Sequence, residues 1–171
     1  MGKFTSLLKE SELFYNLTTT QLELVESIAQ EQIYQEGDII FTESTRGNEL
    51  FLILSGHVDI LVTPSLVSPR HKPDEQEVIN TMWRGQCFGE VALVDEGIRS
   101  ATARAGTINT RLLRITRQDF LHLCESDPEL GYRVMFNLST GLSEIIRHAT
   151  LQIREALLYK KTHFKAPHEE E

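Results

Sequence analysis

The residues best suited to chemistry gather in one segment, Phe88-Gly89-Glu90-Val91-Ala92-Leu93-Val94-Asp95-Glu96-Gly97-Ile98-Arg99-Ser100-Ala101-Thr102-Ala103. Gly89 lets the backbone approach a ligand closely. If Glu90, Val91 and Ala92 open a helical turn, their N–H groups face an anion. Arg99, nine positions after Glu90, can return across the turn and offer phosphate oxygens a rigid fork of donors. Ser100 adds a hydroxyl beside it. Glu90 is an acceptor only, so it cannot hold a phosphate, but it can take a bond from a sugar hydroxyl a few ångströms away. A carboxylate and a guanidinium at this interval suit a ribose phosphate ring.

These side chains need a frame. Thr18-Thr19-Thr20 precedes Leu22, Val25, Ile28 and Ala29, so a hydroxyl cap opens a short amphipathic helix that packs on the next part of the chain. From Ile33 to about Ile115 the period changes to short β-rich runs, with Ile39 and Phe41, Leu50 to Leu54, then Val58, Ile60 and Val62, separated by Gly37, Gly47 and Gly56. Between Thr63 and Glu77 the prolines Pro64, Pro69 and Pro73 mark an exposed loop. Thr116 caps a helix carrying Phe120, Leu121 and Leu123, and Asp127-Pro128 starts a long one. The apolar stripe of that helix runs through Leu130, Val134, Leu138, Leu142, Ile145, Ala149, Ile153 and Leu157. Half of it suits packing on the roll, and the rest is long enough to reach a partner. The expected fold is α+β: a β-roll, jelly-roll-like in the manner of a double-stranded β-helix, flanked by N-terminal and C-terminal helices. One domain spans 1–160, with a helical start at 5–30, the roll at 31–116 and C-terminal helices at 117–160; 161–171 is a charged tail.

Composition narrows the function. Hydrophobic residues are 40% and charged residues 25% of the 171, ordinary globular usage that permits a buried core. The net charge of −8 opposes the electrostatic attraction on which nucleic-acid binding rests. Glu169-Glu170-Glu171 reads as a solvated tail, and Lys160-Lys161 is too short for a basic patch. No run of about 18 apolar residues occurs, so the chain is expected to be soluble and cytoplasmic, without a membrane partner. Cys87 and Cys124 lack ligand spacing and sit in apolar surroundings, as buried thiols of a reducing compartment do. The six histidines have no metal spacing and no nucleophile–base motif appears, so neither a metal nor catalysis is expected.

The segment from Phe88 to Thr102 closely resembles the phosphate-binding cassette of the cyclic-nucleotide-binding family. Family cassettes read FGE, a few apolar residues, a turn, then R-[STA]-A-[TS], and Phe88-Gly89-Glu90 and Arg99-Ser100-Ala101-Thr102 match both ends. Upstream, Glu36-Gly37-Asp38-Ile39-Ile40 and the run from Leu50 to Val58 resemble the family's early strands. The resemblance covers residues 10 to 155. It departs from the family pattern at Ser44, where many members have glycine, and at Ile98, where proline is frequent.

The resemblance implies that Glu90 accepts the ribose 2′-hydroxyl, that Arg99 pairs with the cyclic phosphate, and that Gly89, Val91, Ala92 and Ala101 supply backbone donors. Ser100, the hydroxyl after the arginine, occurs in binders of either nucleotide. Thr150, on the long helix, is placed to meet the base edge if that helix caps the pocket. The implied ligand is a cyclic mononucleotide, cyclic AMP (cAMP) ahead of cyclic GMP (cGMP), with no further cofactor. Members that regulate transcription carry a helix-turn-helix module after the long helix, and this sequence ends too soon to hold one, so DNA is not an expected partner. The signal is expected to leave through the long helix, toward an effector protein or a second copy in a homodimer. The alternative is a nucleotide-independent interaction domain that keeps the cassette as scaffold.

Overall fold

The computed structural model describes residues 2–64, 75–95 and 97–163, with side chains through Tyr159. The central part of the loop expected between Thr63 and Glu77, the tail beyond His163, and Glu96 lie outside the described residues. The chain opens with α1 (Thr5–Glu10), a 3-10 turn (Glu12–Phe14) and α2 (Thr19–Ser27). Six strands follow: β1 (Gln30–Tyr34), β2 (Ile39–Phe41), β3 (Glu49–Ser55), β4 (His57–Val62), β5 (Glu77–Trp83) and β6 (Cys87–Phe88). A second 3-10 turn (Glu90–Leu93) separates these from β7 (Thr102–Ala105) and β8 (Thr110–Thr116), and the chain closes on α3 (Arg117–Ser126) and α4 (Pro128–His163). β1 begins at Gln30, one residue ahead of the expected boundary, and α4 runs past the expected end at 160.

The strands form two antiparallel four-stranded sheets, ordered β1-β8-β3-β6 and β2-β7-β4-β5, an open roll rather than a closed barrel. β3 explains the layering. Its run Leu50-Phe51-Leu52-Ile53-Leu54 is buried throughout, because both faces of this strand are covered. Leu50, Leu52 and Leu54 join Leu8, Phe14, Val25, Phe120, Leu130 and Val134 under the helices. Phe51 and Ile53 turn the other way, into the roll, with Phe88, Val58, Ala103 and Leu112. Strand alternation thus sends one set of side chains to each core.

Three local signals fix the helices. Thr18 accepts from Gln21 N at 3.3 Å while the Gln21 side chain accepts from Thr18 N at 3.0 Å, a reciprocal cap. Thr116 Oγ1 accepts from Asp119 N at 3.1 Å. Asp127 Oδ1 accepts from Leu130 N at 3.0 Å, with Pro128 next in the first turn, where its missing N–H costs nothing. Along α4, Leu130, Val134 and Leu138 are buried, whereas Ile145, Ile153 and Leu157 are 57–60% exposed. The stripe therefore divides near Leu142, as its length led us to expect. Among the described residues no helix is long and apolar enough to cross a membrane, and no three His, Cys, Asp or Glu side chains cluster as a metal site would require.

Candidate functional site

Gly89 sits at φ +72° at the head of the turn Glu90–Leu93, a left-handed conformation that glycine adopts without steric cost. A Cβ here would stand 2.7 Å from Arg99 Nη1 and 3.0 Å from the Glu49 carbonyl oxygen, so the position is closed to other residues twice over. The turn keeps one of its own donors: Ala92 N bonds to Gly89 O at 3.2 Å. The backbone donor expected of Ala92 is thus engaged within the turn. Ala92 itself is buried, while Val91 stands exposed.

Arg99 arrives on a chain segment docked against the turn after β2. Arg99 N donates to Thr45 O at 2.8 Å and Ser44 N to Arg99 O at 2.8 Å. Ser44 holds φ +66°, which accounts for the preference for glycine at this position. Ile98, the other departure, bridges Arg46 and is exposed. The Arg99 side chain is 5% exposed. Its Nη1 donates to Gly89 O at 3.3 Å, and its Nη2 to Glu49 O at 2.9 Å and Glu49 Oε2 at 3.2 Å. The guanidinium carbon lies 4.0 Å from the Phe41 ring centroid, a cation–π contact. Among the described residues Nε is buried with no hydrogen-bond partner. A buried charged donor left in this way is costly and fits an anionic ligand.

Glu90 is largely enclosed, and burial pushes its carboxyl above the ordinary value, with its own N–H and the charge of Arg99 acting in the opposite direction. Burial likewise lowers the Arg99 guanidinium, against the charge and hydrogen bond of Glu49 and the charge of Glu90. The two groups expected to hold sugar and phosphate thus feel each other's charge, and Arg99 is bonded to the Gly89 carbonyl. Ala101 is half-buried and Ser100 exposed at the start of the approach to β7. Thr102 Oγ1 accepts from Glu43 N at 2.9 Å, tying the end of the cassette to the chain after β2.

Thr150 is not brought to these residues. It is exposed on the outer half of α4, and its hydroxyl donates to Ile146 O at 2.8 Å. Glu49 and Phe41 were missed in the sequence: each lies far from Arg99 along the chain and reaches it only through strand pairing. The one local signal for Glu49 was a carboxylate directly ahead of the apolar run of β3. Cys87 lies 3.2 Å from Ser11 Oγ, and burial pushes its thiol up to about 12, against that hydrogen bond.

Residues 31–127 match the cyclic nucleotide-binding domain. The chain is 32% identical over 146 residues to the cyclic AMP receptor protein of Thermus thermophilus, a match covering 85% of this chain and 62% of that protein. It is 26% identical over 118 residues to cGMP-dependent protein kinase 2 of Homo sapiens, covering 69% of this chain and 15% of the kinase. The crystal structure of Thermus thermophilus catabolite activator protein superposes with a TM-score of 0.72 at 32% identity, over 85% of this chain and 63% of that one. The chain spans less than two thirds of the length of each of these relatives. The two-sheet roll agrees with these matches, and this chain belongs to the cyclic nucleotide-binding domain family.

Proposed function

We propose that this domain senses a cyclic mononucleotide, cAMP in preference to cGMP, and performs no chemistry on it. The observation that carries the proposal is Arg99: a guanidinium 5% exposed, whose buried Nε has no hydrogen-bond partner among the described residues, beside a glycine held at φ +72°. In this reading Arg99 pairs with the cyclic phosphate, Glu90 accepts the ribose 2′-hydroxyl, and Gly89, Val91 and Ala101 supply backbone donors, with Ser100 beside the arginine. Thr150 reaches the base only if α4 moves inward. The preference for cAMP is supported by the similarity to a receptor named for that nucleotide.

The signal leaves through α4. Its outer half carries Ile145, Ile153 and Leu157 along the stripe, all more than half exposed, and an exposed apolar strip of that length is ordinarily paired. A second copy, helix against helix, buries it without another protein; an effector that takes the helix in a groove is the other occupant. The net charge of −8 argues against a nucleic-acid surface on this domain, and its free thiols, Cys87 and Cys124, suit a cytoplasmic setting. For nucleotide to act as a switch it must bind one position of α4 better than another. Hydrogen exchange with and without cAMP tests this: protection should change across 138–157 as well as in the cassette. A change confined to 88–102 would remove α4 as the output.

A further inference from the structure

Glu49 stands at the head of β3, where its carboxylate is shared between two arginines. Oε1 accepts from Arg114 Nη2 at 2.9 Å and Oε2 from Arg99 Nη2 at 3.2 Å. Arg114 is in turn held by Gln30 Oε1 at 3.4 Å, and the Asn48 N–H reaches Glu49 Oε2 at 3.4 Å. The carboxylate is thus anchored from the Arg114 side whether or not Arg99 is present. Burial acts to raise the Glu49 carboxyl, but Arg114, the Asn48 N–H and Arg99 outweigh it and hold the group below its ordinary value.

The consequence is geometric. Both hydrogens of Arg99 Nη2 are directed at Glu49, one at its carbonyl and one at its carboxylate, and one hydrogen of Nη1 is directed at Gly89 O. That leaves Nε–H and the second Nη1 hydrogen as the donors that no described residue uses. One carboxylate serves two guanidinium groups, so Glu49 by itself does not neutralise the arginine pair, and the charge of Glu90 also acts on Arg99.

We propose that Glu49 is the positioning residue of the anion site, a post fixed on Arg114 that holds the Arg99 fork in its phosphate-binding orientation. This rests on the sensor reading above. Without the carboxylate, Arg99 keeps its bond to the Glu49 carbonyl but loses the second restraint that fixes the plane of the fork.

The test is a double-mutant cycle read by isothermal titration calorimetry with cAMP and cGMP. Glu49→Gln should weaken nucleotide binding about tenfold, the scale of one hydrogen bond to a charged group, with the melting temperature checked in parallel. In an Arg99→Lys background, where no fork exists to be oriented, the same substitution should change affinity less than about twofold. If Glu49→Gln does not fold, Arg114→Gln, which removes the anchor, takes its place with the same expectations. Parental affinity in Glu49→Gln, tighter binding, or an equal loss in both backgrounds would each overturn the inference while leaving the sensor reading intact. A parent that binds neither nucleotide would overturn both.

Discussion

The Asn137 side-chain amide donates to the carbonyl of Leu13 at 3.0 Å and to that of Tyr15 at 2.9 Å, so one residue of α4 closes the end of the N-terminal helical segment. Those carbonyls belong to a 3-10 turn and the residue after it, where no further helix supplies donors. Gln21 of α2 makes a second tie, to Asp127 Oδ2 at 3.4 Å. The inner half of α4 and the N-terminal helices are therefore joined by polar contacts as well as by the core around Phe14 and Val134.

Asn137→Ala removes both bonds and leaves two carbonyls without their donor. The expected cost is about 2 kcal/mol, a fall in melting temperature of about 4–8 °C for a chain of this size. Scanning calorimetry measures it. An unchanged transition would mean that the apolar packing alone holds the two segments together.

Much of this architecture is readable locally. Thr18, Thr116 and Asp127 announce their helices because a cap and the apolar period after it are neighbours in sequence, and the cassette is legible because Gly89, Glu90 and Arg99 lie within one short segment. What reads poorly is what strand pairing creates. Glu49 meets Arg99 only because the head of β3 lies beside the turn after β6, and Phe41 comes under the guanidinium from β2. The expectation that Thr150 meets the ligand assumed a helix folded over the pocket, whereas the outer half of α4 stands exposed. The exposed pair Tyr132 and Phe136, with ring centroids 6.1 Å apart, lies off the apolar stripe and was not anticipated from it.

Arg99→Ala should weaken cyclic nucleotide binding by about 2–5 kcal/mol, because it strands a buried phosphate without its charged partner; that is about 30-fold or more in affinity. Glu90→Gln should cost less, since the amide keeps one acceptor oxygen. Calorimetric titration of both variants checks the order. Parental binding by Arg99→Ala would assign the phosphate to other residues.

Glu90 is expected to set the pH dependence of binding. Its folded pKa lies above the ordinary 4.5, with burial as the main cause and its own N–H and Arg99 in opposition. A raised folded pKa means that the folded state binds the proton more tightly. This group's contribution to stability therefore falls as pH rises from the unfolded value through the folded one. Nucleotide binding runs the other way, because the ionised carboxylate is a stronger acceptor for a sugar hydroxyl than the neutral acid. Affinity should climb with pH above 4.5 and level off once Glu90 is ionised, and Glu90→Gln should flatten that climb. A parent profile as flat as the variant's would place the ribose contact elsewhere.

The most direct measurement is the melting temperature of the unmodified protein with increasing cAMP or cGMP. Ligand at about 100 times its dissociation constant adds about 2.7 kcal/mol to the folded state, which for a chain of this length is a rise of about 5–10 °C. The account predicts a saturable rise with either nucleotide, reached at lower concentration with cAMP. No rise at millimolar concentrations of both would contradict it and leave Arg99, Glu90 and Gly89 as parts of a scaffold that binds no nucleotide.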